Sequence, residues 1–91
     1  MENKFIIYGD TLLMGCVDHH KDLLFNGFDR HLVKGGGMYE INNDILYLYD
    51  KSYDFGYCKL IDVKKAIKNA HFKKYKYNHE NEKSKSIYVN K

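Results

Sequence analysis

The sequence predicts a two-layer α/β domain in which two helices cover a mixed sheet of four or five strands. Two observations carry this. Short apolar and aromatic runs recur between turn residues, and one later segment has helical rather than alternating spacing. The length, 91 residues, leaves room for a single domain, residues 1–91, with a small core.

Phe5-Ile6-Ile7-Tyr8 reads as a strand ended by Gly9-Asp10, and residues 11–16 either extend it or form a second short strand. Asp18 is placed to cap a helix over about 19–27, with Leu23, Leu24 and Phe28 near one side and Gly27 at its end. Residues 31–41 read as a strand interrupted by Gly35-Gly36-Gly37. Asn42-Asn43-Asp44 is turn chemistry, and Ile45 to Tyr49 completes an antiparallel hairpin. A loop, Asp50 to Gly56, follows.

Leu60, Val63, Ala66, Ile67 and Ala70 fall at helical spacing, with Lys59, Lys64, Lys65 and Lys68 on the wetter side. From Phe72 to Tyr77 the pattern alternates, so Tyr75 and Tyr77 face inward on a strand beside that helix. Residues 78–86 are polar and aperiodic, which predicts a flexible loop, and Ile87-Tyr88-Val89 is suited to a last edge strand.

Charged residues make up 30% of the chain and hydrophobic residues 44%, which is globular composition and excludes a wholly disordered chain. The net charge of +3 conceals an asymmetry, since residues 1–45 carry four basic and seven acidic groups and residues 46–91 carry eleven and five. Such a split steers anions toward the C-terminal half without demanding nucleic acid, and a solvated lysine face is the simpler reading of Lys74 and Lys76. No apolar run is long enough to cross a bilayer and no secretory signal is present, so the expectation is a cytoplasmic protein without membrane contact. Cys16 and Cys58 are then expected as reduced, partly buried thiols.

Three features carry chemistry. Three consecutive glycines in a strand are unfavourable, so Gly35, Gly36 and Gly37 imply either backbone held close to a ligand or a close crossing of chain segments. The turn from Ser52 to Gly56 can present successive amides and a hydroxyl to an anion, with Asp54 opposing that role. His19 and His20 fall in the first turn of the expected first helix, where the positive helix end lowers an imidazole pKa and keeps it neutral. Adjacent histidines diverge, so one of the two is expected to line a site. Cys16 with His19 and His20 lacks a second ligand pair, so no metal is expected.

These motifs together resemble the 14-kDa phosphohistidine phosphatase family, which includes the janus and ocnus proteins. Lys4-Phe5-Ile6-Ile7 resembles the family's first strand, and His20-Lys21-Asp22-Leu23-Leu24 resembles its His-Ala-Asp-Ile-Tyr segment. The triple glycine recurs, and Leu48 to Gly56 resembles its Val-Tyr-Gly-Tyr-Ser-x-Ala-Tyr-Gly loop. The resemblance implies a metal-independent phosphohistidine or phosphoramidate phosphatase with no cofactor. His20 and Lys4 would be catalytic, and Gly35, Gly36, Gly37, Ser52, Tyr53 and Asp54 would bind phosphate. The substrate would be a phosphorylated protein or a small phosphorylated ligand. Met38 stands where the family carries arginine, and Asp54 where it carries a small neutral residue. Those departures keep a second class open: a non-catalytic binding protein on the same fold, an inhibitor, adaptor or small-ligand sponge with a protein partner, in a virus or an AT-rich host.

Overall fold

Two tight hairpins begin the sheet, and each has the turn its sequence calls for. The computed structural model describes residues 1–79 and the backbone of residues 88 and 89. Strand β1 (Glu2–Tyr8) returns through Gly9, at a φ of 61°, into β2 (Thr11–Val17), so residues 11–16 form a separate strand. Strand β3 (Val33–Asn42) turns through Asn43 and Asp44 into β4 (Ile45–Tyr49). Both turn residues have positive φ, 52° and 64°, as a primed two-residue turn requires. Helix α1 (Leu60–Lys68) then leads to β5 (Lys74–Asn78), which lies parallel to β4. Strand β6 (Tyr88–Val89) adds two residues antiparallel to β5.

The sheet order is β2-β1-β3-β4-β5-β6. Among the described residues, five strands of five to ten residues are thus joined by a two-residue edge, and the β4–β5 pair alone is parallel. The expected final strand is this edge; of the expected loop of residues 78–86, Asn78 instead ends β5, while residues 80–86 and Ile87 lie outside the described residues.

Alternation along each strand sorts the side chains onto two faces. Phe5, Ile7, Leu46, Leu48, Tyr75 and Tyr77 point to one face and pack with Val63, Ala66 and Ile67 of α1 and with Cys58. Tyr75 and Tyr77 therefore face inward as the alternation implies. The Tyr77 hydroxyl donates to the Cys58 carbonyl, which satisfies its polar end inside the core. Cys58 is free and buried; burial, with the Asp62 carboxylate adding to it, pushes its thiol up to about 12. Cys16 is also free but exposed, contrary to the expectation of partial burial.

The expected first helix over 19–27 does not form. One 3-10 turn, His20–Leu23, stands in its place, followed by an extended Leu24, a turn over residues 25–28 with Gly27 at a φ of 82°, and a second 3-10 turn at Arg30–Leu32. The reason is tertiary. His20 is drawn onto Gly37, Leu23 packs over Gly15, and Phe25 meets Tyr8 edge-on at 5.3 Å. Anchors at 20, 23 and 25 do not share one side of a nine-residue helix, and so short a helix has little stability of its own. Asp18 does not cap it either; its carboxylate faces the Met1 amino group at 3.5 Å. One α-helix, rather than two, therefore covers the sheet among the described residues.

The glycines of β3 are a crossing point. A Cβ on Gly36 would stand 2.5 Å from the Phe5 carbonyl oxygen and 3.0 Å from His20 Cδ2. One on Gly35, at a φ of 136°, would meet the Tyr57 carbonyl oxygen at 2.5 Å. Gly36→Ala is expected to lower stability by about 1–3 kcal/mol, because backbone cannot move aside as a flexible side chain can. Urea unfolding of the two proteins measures this, and an unchanged midpoint would contradict the crossing.

Candidate functional site

The face of the sheet opposite α1 is where the candidate residues meet. Residues 2, 4, 6 and 8 of β1 share this face with the even-numbered positions 36 and 38 of β3. Lys4 is the cross-strand partner of Met38 and Ile6 that of Gly36. The segment after β2 folds over this face and brings His20 down onto β3.

His20 is only 7% exposed, and its Nε2 lies 2.7 Å from the Gly37 carbonyl oxygen. A carbonyl only accepts, so Nε2 carries the proton and donates. In the neutral ring Nδ1 is then the nitrogen with the free lone pair, and it has no partner among the described residues. Burial is the largest influence on this group and lowers its pKa from 6.5. The Gly37 hydrogen bond opposes that shift, Lys4 adds to it, and Asp54 and Asp50 oppose it more weakly. The ring is therefore neutral near pH 7. A helix end is not the cause, since only one 3-10 turn starts at His20.

The loop after β4 supplies the other wall. Ser52 and Gly56 pair across a turn of residues 53–55, with the Gly56 amide donating to the Ser52 carbonyl at 2.9 Å. The Ser52 amide donates to the Gly36 carbonyl at 3.0 Å and the Gly36 amide donates to Gly56 at 3.0 Å, which ties the turn to β3. The Ser52 hydroxyl accepts from the Phe55 amide at 3.1 Å. Arg30 braces the tip from outside: its guanidinium lies 5.0 Å from the Phe55 ring centre and donates to the Asp54 carbonyl.

These elements enclose an open cavity of about 510 Å³. His20, Lys4 and Met38 line it from the sheet side, and Tyr53 and Asp54 from the loop. Glu2, Asp18, His19, Asp50 and Lys51 complete its rim. Both histidines thus line the cavity, His20 buried and His19 exposed, where only one was expected.

Four of the sequence-derived candidates are placed differently. Gly35, Gly36 and Gly37 do not line the cavity; they are buried and let His20 and residues 50–58 approach β3. Ser52 is 2% exposed, and its amide and hydroxyl are engaged within the turn, so it builds the wall instead of facing the cavity. The amides of Tyr53 and Asp54 carry no hydrogen-bond partner among the described residues. Glu2 was legible in principle, as it sits two positions before Lys4 and so on the same side of the strand. The bracing role of Arg30 had no such signal. Among the described residues no group of three or more His, Cys, Asp and Glu side chains could hold a metal ion. No helix among them is long and apolar enough to cross a membrane.

Comparison with protein-family models, with curated proteins and with solved structures returned no match.

The His20 resonances are expected to titrate with a midpoint below 6.5. Between that midpoint and 6.5 the unfolded chain binds the proton that the folded chain resists, so this group's stability contribution is lost as pH falls through the window. NMR titration of the imidazole alongside urea midpoints at stepped pH checks both. A midpoint above 6.5 would reverse the sign.

Proposed function

We propose that the chain is a metal-independent phosphoramidate phosphatase acting on phosphohistidine, with His20 as its reacting group. The observation that carries this reading is the buried His20, whose Nε2–H is fixed on Gly37, whose Nδ1 has no partner among the described residues, and which lines a cavity with Lys4, Tyr53 and Asp54. Fixing one ring nitrogen selects the tautomer and orients the other, as a nucleophilic or basic histidine requires.

The substrate's phosphoryl group would sit between Nδ1 and the amides of Tyr53 and Asp54, with the Lys4 ammonium offsetting its charge. Nδ1 then either bonds to phosphorus as the substrate's P–N bond breaks, or takes a proton from an attacking water. In the first case the leaving nitrogen takes up a proton and the phosphoryl group is carried on His20 until water removes it. Met38 is a neutral neighbour of Lys4 in this cavity, so phosphate is held by one nearby lysine and by amides without an arginine fork.

Two outcomes test the reading. Phosphohistidine protein and free phosphoramidate should both be turned over with chelator present, and His20→Ala should lose at least about 100-fold. Acid-labile, base-stable phosphate trapped on the protein would select the nucleophilic route. Activity unchanged in His20→Ala would remove His20 from the chemistry. If neither substrate is turned over and a stoichiometric partner is retained by His20→Ala, the non-catalytic binding protein is the better account. Met38→Arg should tighten inorganic phosphate binding by about 1–2 kcal/mol if its guanidinium reaches the anion, read by titration at low ionic strength. Equal affinities would place phosphate elsewhere.

A further inference from the structure

The rim of the cavity is more acidic than a bare phosphate would select. The cavity holds four carboxylates, Glu2, Asp18, Asp50 and Asp54, against the ammonium groups of Lys4 and Lys51. Two of the carboxylates are engaged: Asp50 accepts from the Lys51 amide at 2.8 Å, and Asp18 faces the Met1 amino group at 3.5 Å. The side chains of Glu2 and Asp54 have no hydrogen-bond or ion-pair partner among the described residues. A phosphoryl group entering alone meets this rim at a Coulombic disadvantage.

A second observation shows that the rim surrounds a ligand position. His20 is more than nine-tenths buried and lines the cavity, and its Nδ1 has no hydrogen-bond partner among the described residues. A group that reaches His20 through the cavity shares it with these carboxylates. A substrate that carries its own cations beside the reacting group turns that repulsion into attraction, with its anionic part meeting Lys4 and its cationic parts meeting the unpartnered carboxylates of Glu2 and Asp54.

We infer that the cavity selects phosphohistidine presented within a lysine- or arginine-rich protein segment, and discriminates against the same group flanked by acidic residues. The inference rests on the phosphatase reading for its reacting group and on the rim for its selectivity.

The test uses two phosphohistidine peptides that differ only in two flanking lysines or two flanking glutamates. At low ionic strength kcat/KM should favour the lysine peptide by about tenfold or more, and the ratio should shrink toward one in about 0.5 M salt. The variant Glu2→Gln should cut the ratio by about twofold while free phosphoramidate turnover is held or raised. Ratios within about twofold of one, or a preference for the glutamate peptide, would overturn the inference while leaving the phosphatase reading standing.

If neither peptide is turned over, the same pair bearing a non-hydrolysable phosphohistidine analogue is titrated by fluorescence anisotropy. A salt-sensitive lysine preference there would sustain the selectivity of the rim and remove the catalytic reading. Equal binding would remove the selectivity as well.

Discussion

Three residues of β3 without side chains are the constraint on which the rest of the molecule depends. Glycine in a strand forgoes roughly 0.5–1 kcal/mol relative to alanine, and three in a row leave a gap in the sheet surface. Here that gap is filled by backbone. The turn of residues 52–56 hydrogen-bonds to both polar groups of Gly36, and the Gly37 carbonyl accepts the hydrogen bond from His20 Nε2. On the other side a Cβ at Gly37 would stand 2.5 Å from the Tyr49 carbonyl oxygen and 2.8 Å from Phe5 Cε1. The same few atoms therefore fix the loop, the imidazole and the joint between the two halves of the sheet.

The neutral state of His20 follows from where it is held. Burial against β3 disfavours the imidazolium, and the neighbouring Lys4 acts in the same direction. The hydrogen bond to Gly37 acts in the opposite direction, yet it decides which nitrogen is free. Burial thus sets the protonation state while the carbonyl sets the tautomer. A surface histidine at a helix start would have had neither control.

What could be read from the sequence was what local periodicity records. Ile45 to Tyr49, Leu60 to Ile67 and the alternation about Tyr75 and Tyr77 form the elements that their spacing implies, because each element's own pattern matches the face it buries. Lys4, His20, Tyr53 and Asp54 were also named, and they meet in one cavity. The segment over about 19–27 reads as a helix because Leu23, Leu24 and Phe28 suit one, while the competing pull on His20 comes from a carbonyl seventeen residues away. The glycines show the same limit. Their composition announced a close approach, but whether a ligand or another stretch of chain makes it depends on partners that no local pattern encodes.

The join between β1 and β3 has a consequence for how the molecule comes together. The β1–β2 and β3–β4 hairpins are each closed by a two-residue turn, so each can form from neighbours along the chain. Their union pairs Phe5 with Gly37 and Ile6 with Gly36, contacts about thirty residues apart that bear a larger loop-closure entropy. The cavity draws Lys4 from one hairpin and Met38 from the other, with His20 from the connection between them. It is therefore completed only when the two hairpins have joined. Neither hairpin alone contains a fragment of the site that could act by itself.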